Sequence, residues 1–195
     1  MAMLIHLIRH GMTQNGKLHR YEGATDSPLS EEGLALLRQA SFSPPLIFCS
    51  PLRRARETAA VLFPDAAVEL VSDLREMNFG SFESRGWWEM EDDSAYRTWV
   101  DSGCTGRCPG GEDLAEFSAR VTEAFRSLVQ SASNAGAEEI AVIAHGGVQM
   151  AVMECWGTPR GSYFSWQTPC GEGLLLDASG WPAELRFLGR ESFHS

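Results

Sequence analysis

Two histidines in this chain each end a short apolar run and are each followed by glycine: His10-Gly11 after residues 3–8, and His145-Gly146-Gly147 after residues 140–144. A third apolar run, residues 46–49, leads into a turn carrying Arg53, Arg54 and Arg56. Imidazoles and guanidiniums converging from separate segments are suited to phosphoryl transfer. That reaction needs a nucleophile and little other covalent chemistry, but much positioning and charge stabilisation. A neutral imidazole is a competent nucleophile near pH 7, with an unperturbed pKa of about 6.5, and nearby arginines favour the neutral, attacking form. Arginine forks match phosphoryl oxygens and stay charged. Backbone donors at Gly146-Gly147, opening a helix, would add anion stabilisation.

Each feature has a plainer reading when taken singly. A histidine at a strand end is commonly a satisfied structural residue, and three arginines in one turn are commonly a solvated helix face. Cys104 and Cys108 could be joined with His10 and His145 into a zinc site, but the spacing fits no common zinc motif. The pair of His-Gly sequences together with the arginine turn favours the phosphoryl site.

The elements that must position these residues follow from pattern and punctuation. Residues 3–8, 46–49, 68–71 and 140–144 read as buried strands. Ser30 reads as the N-cap of a helix running to Ala40, with Leu29 and Leu34 placed for a hydrophobic staple. Ser50-Pro51 opens a helix that Pro64 stops. Glu112 opens a long helix with Leu114, Phe117, Val121, Phe125 and Leu128 on one face. Another helix runs from His145 to Trp156. Residues 174–176 and 185–188, around Ser179-Gly180, form a hairpin. The alternation predicts an α/β fold: a three-layer αβα sandwich with a mostly parallel central sheet and an antiparallel edge. In such sheets ligands bind beyond the carboxyl ends of the strands, which is where His10 and His145 would project. One domain over residues 1–195 is expected, with a small tryptophan-rich lid at about 84–111.

The composition agrees with a globular chain: 195 residues, 44% hydrophobic and 22% charged. A formal net charge of -10 argues against nucleic acid or an anionic membrane as partner. No apolar run reaches a membrane span of about 18 residues, and the apolar start is too short for a signal sequence. Five scattered cysteines fit free thiols in a reducing cytoplasm.

The motifs resemble those of the histidine phosphatase superfamily, the phosphoglycerate-mutase-like fold, over essentially the whole chain. Residues 7–11 (LIRHG) resemble its nucleophile motif, 20–33 (RYEGATDSPLSEEG) the stretch before its first helix, and 49–59 (CSPLRRARETA) its arginine motif. Residues 74–80 (LREMNFG) resemble the segment bearing its acid/base glutamate, 109–112 (PGGE) the start of its long helix, and 144–147 (AHGG) its second histidine. The resemblance implies that His10 becomes phosphorylated, that Arg9, Arg54 and His145 hold the phosphoryl oxygens, and that Glu76 serves the leaving group and then the attacking water. It implies no metal and no cofactor. Family members carry an asparagine five or six residues after the nucleophile; position 16 is glycine here, and Asn15 is the neighbouring candidate for that phosphate contact, alongside Gly146.

The compact stretch between Glu76 and Gly111 favours a phosphatase over a mutase, and residues 76–83 resemble those of α-ribazole phosphatases and of broad-specificity members. A tryptophan among Trp87, Trp88 and Trp99 could then stack on a base. The expected partner is a small phosphorylated metabolite, with neither nucleic acid nor membrane, and a homodimer is left open. A phosphoglycerate-mutase-like phosphotransferase and a non-catalytic phospho-ligand binding protein are the alternatives.

Overall fold

A computed structural model describes residues 3–194. Its frame is a seven-stranded sheet. β1 (Leu4–Arg9), β2 (Leu46–Cys49), β3 (Val68–Leu70) and β4 (Glu139–Ala144) pair in parallel, followed in space by β6 (Glu172–Asp177), β7 (Leu185–Ser192) and β5 (Gly157–Thr158), in the order β3-β2-β4-β1-β6-β7-β5. β6 is antiparallel to both β1 and β7. The hairpin therefore lies against β1, and the short β5, parallel to β7, forms the outer edge. That two-residue strand carries too little pattern to be read from sequence.

Period-two alternation divides the strands between two apolar layers. Ile5 and Leu7 of β1 join Phe48, Ile140 and Val142 on one face, covered by α5 (Leu114–Asn134) and α6 (Gly146–Trp156) through Phe117, Val121, Phe125, Val148 and Val152. Ile8, Ile47, Cys49, Ala141 and Ile143 point the other way, against α3 (Arg53–Leu62) through Ala55, Ala59 and Leu62. Sequence periodicity thus specifies the three layers. The register of β1 on β4 pairs Arg9 with Ala144, so the two chains leave the sheet side by side and deliver His10 and His145 to one place. The backbone N–H of His10 donates to the Ala144 carbonyl (3.0 Å) and that of Ser50 to Ile143 (2.9 Å), which brings the end of β2 to the same edge.

Several helix boundaries differ from expectation. Ser30 does cap α2, accepting from the Gly33 N–H (2.9 Å), but α2 spans only Glu31–Leu36. Leu37 is pulled out of the helix into a bridge with His194 and buried. Leu34 is exposed while Leu29 joins the α3 layer, so the two form no staple. α3 begins at Arg53, with Leu52 rather than Ser50 at its N-cap. The long helix is capped by Asp113, which accepts from the Glu116 N–H (2.9 Å). Glu112 is instead engaged by Arg120 (2.6 Å). The tryptophan-rich segment contains a single turn at Trp87–Glu89 and α4 (Ser94–Asp101). Between β1 and α2 lies the four-residue α1 (Gln14–Lys17), capped by Thr13. Among the described residues no helix is long and apolar enough to cross a membrane.

Candidate active site

Beyond the carboxyl ends of β1 and β4 lies a cavity of about 340 Å³ whose lining includes Arg9, His10, Glu22, Glu76, Gly146 and Gly147. Arg54 and His145 sit fully buried, and the His10 and His145 rings meet edge-on with centroids 5.1 Å apart. The structure therefore brings together all five side chains expected to do chemistry.

His10 Nδ1 lies 2.7 Å from the Gly11 carbonyl. A carbonyl can only accept, so Nδ1 carries the proton and Nε2 keeps its lone pair. The Gly11 N–H donates to Thr58 Oγ1 (2.9 Å), and Thr58 Oγ1 donates to the Arg54 carbonyl (2.7 Å), which ties the His10 turn to α3. Burial, reinforced by Arg54 and Arg9, holds the His10 pKa well below the ordinary imidazole value. The ring is thus neutral at physiological pH, with a free Nε2 suited to nucleophilic attack.

His145 is held by a residue that sequence reading took only for a helix start. Its Nε2 lies 2.7 Å from Ser50 Oγ, and Ser50 Oγ also accepts from the Leu52 N–H (3.4 Å). The His145 pKa is well below normal, through burial and then Arg54. A neutral His145 receiving the serine O–H at Nε2 presents Nδ1–H, and this buried Nδ1 has no partner within the protein.

The two arginines are fixed by backbone carbonyls. Arg54 donates from Nη1 to Thr25 (2.7 Å) and from Nη2 to Gly23 (2.8 Å). Arg9 donates to the Thr168 carbonyl. Thr168 Oγ1 donates to Gln149 Oε1 (2.7 Å), and Gln149 Nε2 donates to the Leu7 carbonyl (2.8 Å), which links the Arg9 anchor back to β1. Each guanidinium keeps one buried, unpartnered donor, its Nε. Arg53 and Arg56, by contrast, are exposed, as the plain helix-face reading of that turn would have it.

Glu76 is carried by the loop after β3. Its Oε2 accepts from the Gly147 N–H (2.9 Å) and its Oε1 from the Met77 N–H (2.9 Å). The Gly147 N–H is thereby committed to Glu76 and is not left for an anion, which corrects the expectation for that donor. Gly146 packs against the Arg9 guanidinium: a Cβ there would lie 3.3 Å from Cζ. The loop itself is clamped by Arg120, which donates to the carbonyls of Asp73, Arg75 and Glu76 (2.8–2.9 Å) and to Glu112 Oε2 (2.8 Å).

Asn15 is not brought to the cavity. Its amide donates to Ser84 Oγ (3.4 Å), and Gly16 lines the pocket in its stead. Of the three tryptophans from which one was expected to stack on a base, Trp87 and Trp88 are exposed, and only Trp99 reaches the cavity wall, edge-on to Tyr21 and Phe79. Glu22, Ser50 and Gln149 are the site residues that sequence reading missed, and Gly147 takes a different role from the one expected of it. Among the described residues no three His, Cys, Asp or Glu side chains cluster in a way that could hold a metal ion.

A profile of the histidine phosphatase superfamily (branch 1) matches residues 5–173, and the chain belongs to that family of enzymes. The Salmonella typhimurium protein named adenosylcobalamin/alpha-ribazole phosphatase is 31% identical over 198 residues, covering 95% of this chain and 96% of its own. The crystal structure of the alpha-ribazole phosphatase from Shigella flexneri matches with a TM-score of 0.77 at 28% identity, covering 95% of this chain and 96% of that one. A Thermus thermophilus structure named as a phosphoglycerate mutase matches with a TM-score of 0.72 at 30% identity, over 97% of this chain and 99% of that one.

Proposed function

We propose that this chain is a metal-independent phosphomonoester hydrolase that works through a phosphohistidine at His10. The observation that carries the reading is a group of buried nitrogens without protein partners, among them Arg9 Nε, Arg54 Nε and His145 Nδ1, in the same site as the free Nε2 of His10. Buried donors normally find an acceptor, and a phosphoryl group supplies three oxygens. His10 Nε2 attacks phosphorus while the bond to the alcohol oxygen breaks. The electron pair leaves with that oxygen, which takes a proton from Glu76. Water then attacks the phosphohistidine, Glu76 receives its proton, the N–P bond breaks, and the pair returns to Nε2 as phosphate departs. The three donors meet the charge that grows on the equatorial oxygens.

The finer reading is an α-ribazole 5'-phosphate phosphatase of cobalamin biosynthesis. It is supported by the names of the Salmonella and Shigella relatives and by Tyr21, Phe79 and Trp99 on the cavity wall, an aromatic surface on which a nucleoside-like base can stack. The deciding experiment is hydrolysis of a generic aryl phosphate with a chelator present, followed by a panel containing α-ribazole 5'-phosphate and the phosphoglycerates. Chelator-resistant hydrolysis with preference for the riboside supports both levels. Loss of activity with chelator contradicts the metal-free mechanism, and interconversion of phosphoglycerates faster than phosphate release contradicts the hydrolase.

A further inference from the structure

Glu76 stands on backbone without regular structure, after the single turn Ser72–Leu74, so neither a strand nor a helix fixes it. A guanidinium does so instead. Arg120 lies in α5 with its Cζ 5.0 Å from the centroid of the Phe117 ring, and all five of its N–H donors are taken. Nη1 donates to the carbonyls of Asp73 (2.9 Å) and Arg75 (2.8 Å), and Nη2 to that of Glu76 itself (2.9 Å). Nε and the second Nη2 donor form a fork on the Glu112 carboxylate, at 2.6 and 2.8 Å, the strong geometry for such a pair.

Glu112 in turn grips the far end of the same loop. Its Oε2 accepts from the Asn78 N–H (2.9 Å) and its own N–H donates to the Asn78 carbonyl (2.9 Å). Gly111 seals that contact, since a Cβ there would fall 2.2 Å from the same carbonyl. The pair therefore brackets Glu76, with the carbonyls of 73, 75 and 76 on one side and both backbone groups of 78 on the other. Every donor of the guanidinium goes to the loop or to Glu112. The loop needs this hold. Once Glu76 has given up its proton it is a carboxylate beside a phosphoryl dianion that repels it, and misplacement by about 1 Å can cost roughly a hundredfold.

We infer that Arg120, locked by Glu112, is the positioning residue of the proton-transfer step in the reaction proposed above, on which this inference rests. It acts through Glu76 alone, by holding the loop so that the carboxyl stays at the leaving oxygen. Removing it frees three consecutive anchor points of the loop and leaves their carbonyls and Glu112 without their donors, which is costly where they are screened from water. The reaction then loses proton delivery while the nucleophile and the phosphoryl donors stay in place. Esters whose alcohol must be protonated as it leaves depend on Arg120, and esters whose alcohol leaves as a stable anion do not.

The test compares phenyl phosphate, whose oxygen is basic and takes a proton as it leaves, with 4-nitrophenyl phosphate, whose phenol leaves as the anion. The quantity read is kcat/KM, which reports the steps up to the phosphohistidine and so includes departure of the leaving group. General acid catalysis contributes about 10²–10⁴-fold, so Glu76→Gln is expected to lose at least about tenfold more on phenyl phosphate than on the nitro ester. Arg120→Met, which keeps the stem and removes the donors, is expected to show the same bias: a loss of at least about tenfold on phenyl phosphate and under about threefold on the nitro ester, with no further loss when Glu76→Gln is added. Arg120→Lys and Glu112→Gln, which keep part of the clamp, are expected to give the same bias at smaller size, and they carry the test if the methionine variant does not fold. Equal losses on the two esters, or losses that add in the double variant, overturn the inference, because a residue that merely stabilises the fold treats both leaving groups alike. A wild-type protein that hydrolyses neither ester fails the hydrolase reading itself, and Glu76→Gln without the bias fails the assignment of Glu76; either outcome removes the step that Arg120 serves.

Discussion

Glu76 and Gly147 meet across a space that only glycine leaves open. The Gly147 N–H donates to Glu76 Oε2 at 2.9 Å, and a Cβ on Gly147 would lie 2.1 Å from Oε1 of the same carboxylate. The second glycine of the His145 motif thus acts as the seat of the acid/base group assigned above.

Gly147→Ala is accordingly expected to displace the Glu76 carboxylate. Misplacement of a catalytic group by about 1 Å can cost roughly a hundredfold. The expected outcome is a fall of about that size in kcat with little change in KM for an aryl phosphate, and little further loss when Glu76→Gln is added. A Gly147→Ala protein within threefold of wild type would remove Gly147 from this positioning role.

Ser50 Oγ is the partner of His145 Nε2, which leaves Nδ1 to meet the phosphoryl group in the mechanism proposed above. Ser50→Ala removes the partner of Nε2 and allows the other tautomer, in which Nδ1 no longer donates. Loss of one preorganised donor costs about 10²–10³ in kcat. A partial loss of roughly 10–100-fold is expected for Ser50→Ala, with recovery in Ser50→Thr, which restores a hydroxyl. The check is steady-state kinetics with an aryl phosphate, and failure of threonine to rescue an impaired alanine variant would count against the tautomer argument.

The pKa values of His10 and His145 are shifted in one direction and that of His6 in the other. His10 and His145 are held well below the ordinary value by burial and then by Arg54. His6 lies within β1, stacked on Phe42. Burial alone would lower its pKa, but the hydrogen bonds its ring donates to Glu191 and Glu139, at 2.8 Å and 3.1 Å, outweigh that and raise it. Unfolded, all three titrate near about 6.5. As pH falls below that value the unfolded chain takes up protons that folded His10 and His145 refuse, so these two cost stability on the acid side. The contribution of His6 is complete below about 6.5 and is lost as pH rises through its raised folded value. Imidazole NMR between pH 8 and 6 should show His10 and His145 unchanged and His6 already protonated at 6.5. A His10 midpoint at or above 6.5 contradicts the electrostatics described here.

The parts of the site that were legible in the sequence are those written locally. A strand followed by His-Gly places its histidine at a sheet edge, and Arg54 stands out by its motif among neighbours that remain solvated. What was not legible depends on contacts between distant segments. Ser50 reads as a helix start because nothing local shows that β2 ends beside β4, 95 residues on, where His145 waits. Gly147 reads as an anion-binding donor until Glu76 is seen to occupy it. Glu22 lies within the stretch that resembles the family, yet its place on the cavity wall, 4.0 Å from Arg54 Nε, shows only in three dimensions. Asn15 is one position from the expected asparagine, and in the short α1 that single step directs its amide to Ser84. Leu37 ends α2 early because it gains more from burial and a bridge to His194 than from another helical turn.

The most direct test of the central claim is to trap the covalent intermediate. Wild-type protein is mixed briefly with a radiolabelled phosphomonoester, quenched in alkali, digested and mapped. The account predicts one label, stable to alkali and lost in acid, on the peptide carrying His10, and no label and no turnover in His10→Ala. A label on another residue, or turnover retained without His10, would contradict it.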